Sequence, residues 1–271
     1  MVMKLAGLLD KMLAIARRDL LTAIRYRIGF LVGAAGALAE LAAFYYLSRA
    51  VGPGFRPDGV EYFSFLLVGT GLYTFLVVGI NAFLHIVQEA QQTGSLEVLM
   101  TTSTPAPVLV FLSAMSAFAG NTLQLLFYLG GGLLLAGSLP ASPNIPGCIV
   151  IFGLSVVIAV AIGILAAALQ LAIQKGSALV WLLGSGIWFM TGTLFPVTTL
   201  PKPLRLLADL IPITHSLKAM RLALLQGAGF FSLGTELVIL ALFSCVLLPM
   251  SLWIFSCALR RARLEGTLSF Y

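Results

Sequence analysis

The chain has 271 residues, of which 60% are hydrophobic and 10% charged, with a mean hydropathy of +1.04 and a formal net charge of +6. Soluble domains carry about 25% charged and about 45–50% apolar residues, so this chain cannot cover a water-facing surface. A soluble enzyme, a disordered chain, a disulfide scaffold and a collagen-like protein are excluded, and the question becomes how often the chain crosses a bilayer.

In chain order, residues 1–27 come first. Leu5, Leu8, Leu9, Met12, Leu13 and Leu20 alternate with Lys4, Asp10, Lys11, Arg17, Arg18 and Asp19, which predicts an amphipathic helix lying on the inner leaflet. Its charges run throughout, unlike a cleavable leader. Crossing about 30 Å of hydrocarbon takes roughly 20 apolar residues. Six stretches qualify: Ile28–Leu47 with Glu40 inside it, Tyr62–Val87, Pro105–Ala136, Ile145–Ile173, Ser177–Leu194 and Leu237–Leu259. The expected fold is an all-α membrane protein with a six-helix domain over 28–259 and a cytoplasmic tail over 260–271.

Residues 195–231 differ. Pro196, Pro201, Pro203 and Pro212 interrupt any continuous helix, and Lys202, Arg205, Asp209, His215, Lys218 and Arg221 are costly at a bilayer centre. Leu204, Leu207, Leu210 and Ile211, and then Leu217, Met220, Leu224 and Leu225, keep helical spacing. Two short amphipathic helices at the interface, or re-entrant into it, are expected; a surface loop with a helical turn is the alternative. With six spans, ten of the sixteen Lys and Arg fall on the side of the termini, which favours both ends in the cytoplasm; the expected location is a plasma membrane, the bacterial inner membrane. The positive charge is thereby explained by topology, without nucleic acid.

Reactive clusters are scarce. There are two histidines, His85 and His215, and three cysteines, Cys148, Cys245 and Cys257, in apolar segments without metal spacing. Gly184-Ser185-Gly186 fits close helix packing better than a protease nucleophile. No phosphate-cradling G-x-x-x-x-G-K-[ST] run is present. The expectation is a non-enzyme without metal or cofactor, in which ATP chemistry, if any, belongs to another polypeptide.

The loop after the second span, about 89–104, has no Lys or Arg, carries Glu89 and Glu97, and sets Leu96, Leu99 and Met100 at i, i+3, i+4. That patch suits helix-in-groove docking, and a solvated turn with incidental leucines is the alternative. The run Glu89-x-x-x-x-Gly94-Ser95-Leu96-Glu97-x-Leu99 resembles the segment that follows the second helix in type-2 ABC transporter permeases, with Ser95 where Thr is usual and Ala90 where Arg is common. Gly192-Thr193-Leu194-Phe195-Pro196, Leu200-Pro201 and Ile211-Pro212-Ile213-Thr214, ending at Arg221, are similar to that family's short external helices before the last span.

This resemblance implies a permease subunit, one of two copies in a homodimer, above two ATPase subunits that bind ATP and Mg. The 89–104 segment would be the coupling helix. The second and fifth helices would line the path, here with Tyr73, Asn81 and His85, then Trp181, Trp188 and Phe189. Such a lining suits an amphipathic cargo exported outward (a lipid, a glycolipid or polysaccharide, or a drug); aromatic interface anchors explain the same residues. Glu40 is expected either to meet cargo or to hydrogen-bond a neighbouring helix while protonated, the second being favoured. The competing classes are an ATP-independent secondary carrier, which commonly shows paired interrupted helices, and a membrane scaffold without a coupling helix.

Overall fold

The computed structural model describes residues 27–93, 106–136, 142–173 and 186–265. Residues 1–26 of the expected amphipathic helix, residues 94–104 of the expected coupling helix, and the first half of the expected fifth span (177–185) lie outside them. Among the described residues every regular element is helical. The elements are α1 (Arg27–Val51), α2 (Tyr62–Gln92), α3 (Ala106–Ala136), α4 (Ile145–Ala172), α5 (Lys202–Asp209), α6 (Pro212–Leu225) and α7 (Phe230–Glu265), with single 3-10 turns at Pro57–Gly59 and Val197–Thr199.

Three of these helices, α2, α4 and α7, are long and apolar enough to cross a membrane. α1 and α3 cover the first and third expected spans, and residues 124–136 of α3 form a shorter apolar stretch. Several helices outrun their expected limits. α2 continues past Val87 to Gln92, because no helix breaker precedes Gly94. α7 begins at Phe230, just after Gly227 turns the chain at φ +63°, and carries Arg260 and Arg261 within its last turns.

The packing register alternates in direction. Along α2 and α4, Phe75 meets Phe152 (centroids 5.0 Å apart), Phe83 lies against Gly163, and Gln170 Nε2 donates to Gln91 Oε1 at 3.3 Å. Along α4 and α7, Leu233 lies against Gly147, and Ser244 Oγ, which donates to the Leu240 carbonyl, lies 3.5 Å from the Leu154 carbonyl oxygen. Both series rise together, so α2, α4 and α7 run parallel and begin at one end, called here the proximal end. α3 runs against α2, with Leu67 at Gly132, Tyr128 at Gly71 and Phe118 at Gly79. At Gly79 a Cβ would collide with the Phe118 ring; the missing side chain is what lets the two helices close to contact. α1 likewise opposes α2, with Tyr45 edge-on to Phe63 at 5.7 Å.

α2 is the central helix. Of its most apolar stretch 83% is buried, against 44% for α4 and 17% for α7. α7 turns Val238, Leu242 and Trp253 outward, as a helix facing lipid does.

Candidate functional site

The residues between 190 and 230 fold back over the proximal end. The expectation of two short helices holds, as α5 and α6, and the loop alternative does not. Their environments differ. α5 buries only Ala208 and exposes Leu206 and Leu207, as well as Leu210 just past its end. α6 is inserted into the protein, with Ser216, Ala219 and Ala223 fully or almost fully covered, because small side chains let it approach α2, α4 and α7 closely.

Arg221 on α6 holds this region together. The residue is 6% exposed, and its guanidinium stacks on the Phe65 ring, 3.5 Å from the centroid. Nε donates to the Phe65 carbonyl at 3.2 Å, Nη1 to the Gly192 carbonyl at 2.8 Å, and Nη2 to the Thr193 carbonyl at 3.0 Å. Gly192 is in the left-handed region (φ +76°), so the carbonyls of this turn are not held in a helix and need donors from elsewhere. A planar fork with five N–H groups can serve three carbonyls at once, which a lysine cannot. Burial pulls the Arg221 pKa down to about 9, with Asp58 opposing the shift, so the group stays charged at neutral pH. Gly69 makes room for it: a Cβ there would strike Nη2 and sit 2.9 Å from the Thr193 carbonyl oxygen. Thr191 Oγ1 donates to the Trp188 carbonyl at 3.0 Å, which leaves Thr193 as the donor in the 2.8 Å hydroxyl pair between them. The Tyr62 hydroxyl donates to the Leu194 carbonyl at 3.2 Å, a second tie from α2.

A charged cluster lies beside this clasp. Glu236, in the second turn of α7 and 5% exposed, receives His215 Nδ1 at 2.7 Å and Lys218 Nζ at 2.6 Å. His215 Nε2 lies 2.9 Å from the Asp209 carbonyl oxygen. A carbonyl can only accept, and an ionised carboxylate can only accept, so both ring nitrogens carry protons and His215 is an imidazolium. Its pKa is accordingly raised, chiefly by the Glu236 hydrogen bond and further by the Asp209 carbonyl, with desolvation opposing. The cluster borders a cavity of about 100 Å³ that also takes in Asp58, Arg205 and the buried hydroxyl of Thr214, which has no hydrogen-bond partner among the described residues.

A pH dependence follows with a fixed sign. Because the folded pKa of His215 is raised, its contribution to stability is complete below its ordinary value of about 6.5 and is lost as pH rises through the folded value. The melting temperature should therefore fall above about pH 6.5. Glu236→Gln should cost roughly 1–2 kcal/mol at pH 6 and flatten that slope; thermal unfolding followed across pH checks both.

The other expected residues are dispersed. Phe195 is half-buried, Pro196 is buried at the start of the 3-10 turn, Pro201 is exposed before α5, and Pro212 opens α6. Tyr73 is buried in the core, Asn81 is half-buried and His85 is exposed. Trp188 packs partly into the core, edge-on to the exposed Phe189 at 5.0 Å. Glu89 is exposed near the far end of α2, where its carbonyl accepts from the amide and hydroxyl of Thr93. Trp181, Gly94, Leu96, Glu97, Leu99 and Met100 lie outside the described residues.

Phe65, Gly69 and Glu236 escape sequence reasoning. Phe65 and Gly69 act through a main-chain oxygen and an absent side chain, which leave no pattern. Glu236 had a signal, an acid abutting the apolar run that begins at Leu237. No protein-family model matches the chain, and no curated protein matches it at a significant level.

Proposed function

We propose that this chain is the membrane-spanning permease subunit of an ATP-driven type-2 ABC exporter, moving an amphipathic cargo outward as one of two copies above two ATPase subunits. The observation that carries the reading is the closure of 192–221 upon itself and upon α2. The Gly192-Thr193 end of the motif and its terminal Arg221 are 28–29 residues apart, yet they are bonded directly. A spacing that resembled the family's segment before the last span is thus also one physical unit, seated where α7 begins. The parallel run of α2, α4 and α7 supports the same reading, since even-numbered spans of a six-span chain all start on the side opposite its termini. On this reading the proximal end is external, and ATP chemistry lies at the far end, beyond Gln92.

Purification in mild detergent from the native membrane tests it. The expected result is a co-purifying ATPase subunit in equal number, whose ATP hydrolysis responds to cargo. A chain that purifies alone and transports in an ion gradient without ATP is a secondary carrier, and the proposal fails.

A further inference from the structure

A second cavity, of about 120 Å³, opens between α1, α2 and α3. Glu40 of α1, Thr74 and Phe75 of α2, and Asn121, Gln124 and Tyr128 of α3 line it. Glu40 is eleven residues from the end of α1 and Tyr128 eight from the end of α3. At 1.5 Å per residue that is roughly 17 and 12 Å inside the helix ends, close to the middle of a bilayer. The hydroxyl of Tyr128, a residue 8% exposed, is buried without a hydrogen-bond partner among the described residues. Glu40 is half-buried and makes no hydrogen bond or ion pair with any described residue. The favoured expectation, a bond from Glu40 to a neighbouring helix, is therefore not met among the described residues.

The cavity holds one acid, two carboxamides, two hydroxyls and two aromatic rings, with no base among its described lining residues. A carboxyl at mid-membrane depth is costly unless a partner compensates it, and an orphaned hydroxyl adds to that cost. An ammonium group answers both. It neutralises the carboxylate, and its N–H groups can donate to the carboxamide and phenol oxygens. The cavity is large enough to admit an ammonium headgroup.

We propose that this cavity binds the ammonium head of an amphipathic amine, with Glu40 as counter-ion and Tyr128 as hydrogen-bond partner, while the apolar tail extends into the surrounding lipid. As a cargo site this rests on the transport reading above; the binding itself does not.

The test uses the full chain in nanodiscs of zwitterionic lipid, without ATPase, so its failure leaves the transport reading standing and a failed co-purification leaves the binding standing. Octylammonium is titrated against octanol, its neutral counterpart, with thermal unfolding and calorimetric binding as readouts. Octylammonium should raise the melting temperature by mass action, and octanol should not. Glu40→Gln should weaken octylammonium binding at least about tenfold, and Tyr128→Phe roughly threefold. Should Glu40→Gln fail to fold, Tyr128→Phe carries the same comparison. Equal protection by octanol, or unchanged octylammonium affinity in the variants, overturns the assignment.

Discussion

Replacing Arg221 with alanine should lower the melting temperature by roughly 6–12 °C, the consequence of about 3 kcal/mol lost in a chain of this size. The substitution removes the donor that three carbonyls share and the cation above the Phe65 ring. It also relieves the desolvation of a buried charge, which is why the loss is smaller than three charged hydrogen bonds would imply. Arg221→Lys should recover less than half, since one ammonium cannot span the Phe65, Gly192 and Thr193 oxygens. Gly69→Ala should reproduce much of the defect by displacing the guanidinium. In the Arg221→Ala background the cost of Gly69→Ala should fall by more than half, leaving only the close approach to the Thr193 carbonyl oxygen. Thermal unfolding of the four proteins measures this cycle. Additive losses, or a lysine variant as stable as the parent, would show that the clasp does not organise the segment.

Leu96→Asp or Leu99→Asp should abolish coupling: cargo export falls at least about tenfold while the assembled complex still hydrolyses ATP. An aspartate placed in an apolar docking cleft must be desolvated without a partner, at a cost of several kcal/mol, and each 1.4 kcal/mol is about a factor of ten. The effect depends on contacts that differ between two ATPase states, because an equal contact shifts no equilibrium. Export and ATP hydrolysis measured together in proteoliposomes decide the matter. Undiminished export from an intact complex assigns those leucines to an ordinary solvated turn.

These two predictions sit at opposite levels of legibility. The leucine pattern at 96, 99 and 100 is visible in the sequence, since helical periodicity needs only residue type and spacing. The Arg221 clasp was half visible. Its position at the end of a proline-punctuated segment could be read, and so could the expense of its charge. Its acceptors could not, because main-chain oxygens of Phe65, Gly192 and Thr193 leave no trace in side-chain identity. The amphipathic pattern of α5 and α6 was legible as helix in both, yet it could not separate an exposed helix from an inserted one. What separates them is contact: α6 offers Ser216, Ala219 and Ala223 to three neighbouring helices, whereas Leu206 and Leu207 of α5 meet no such surface.

Composition alone determined that this chain belongs in a bilayer. The scarcity of its charge and the lengths of its apolar runs, which bury backbone polar groups within helices, leave no other solvent. Position along the chain also determined where polar groups would be exceptional, at Glu40, His215 and Arg221. Only the tertiary structure decided what each of them faces. His215 is paired with Glu236, Arg221 with three carbonyls, and Glu40 lines a cavity with an unsatisfied Tyr128. The physical reason is common to all three. The cost of a polar group in an apolar solvent is a property of the residue and can be read locally, whereas the partner that offsets that cost comes from a distant part of the chain and is chosen by packing.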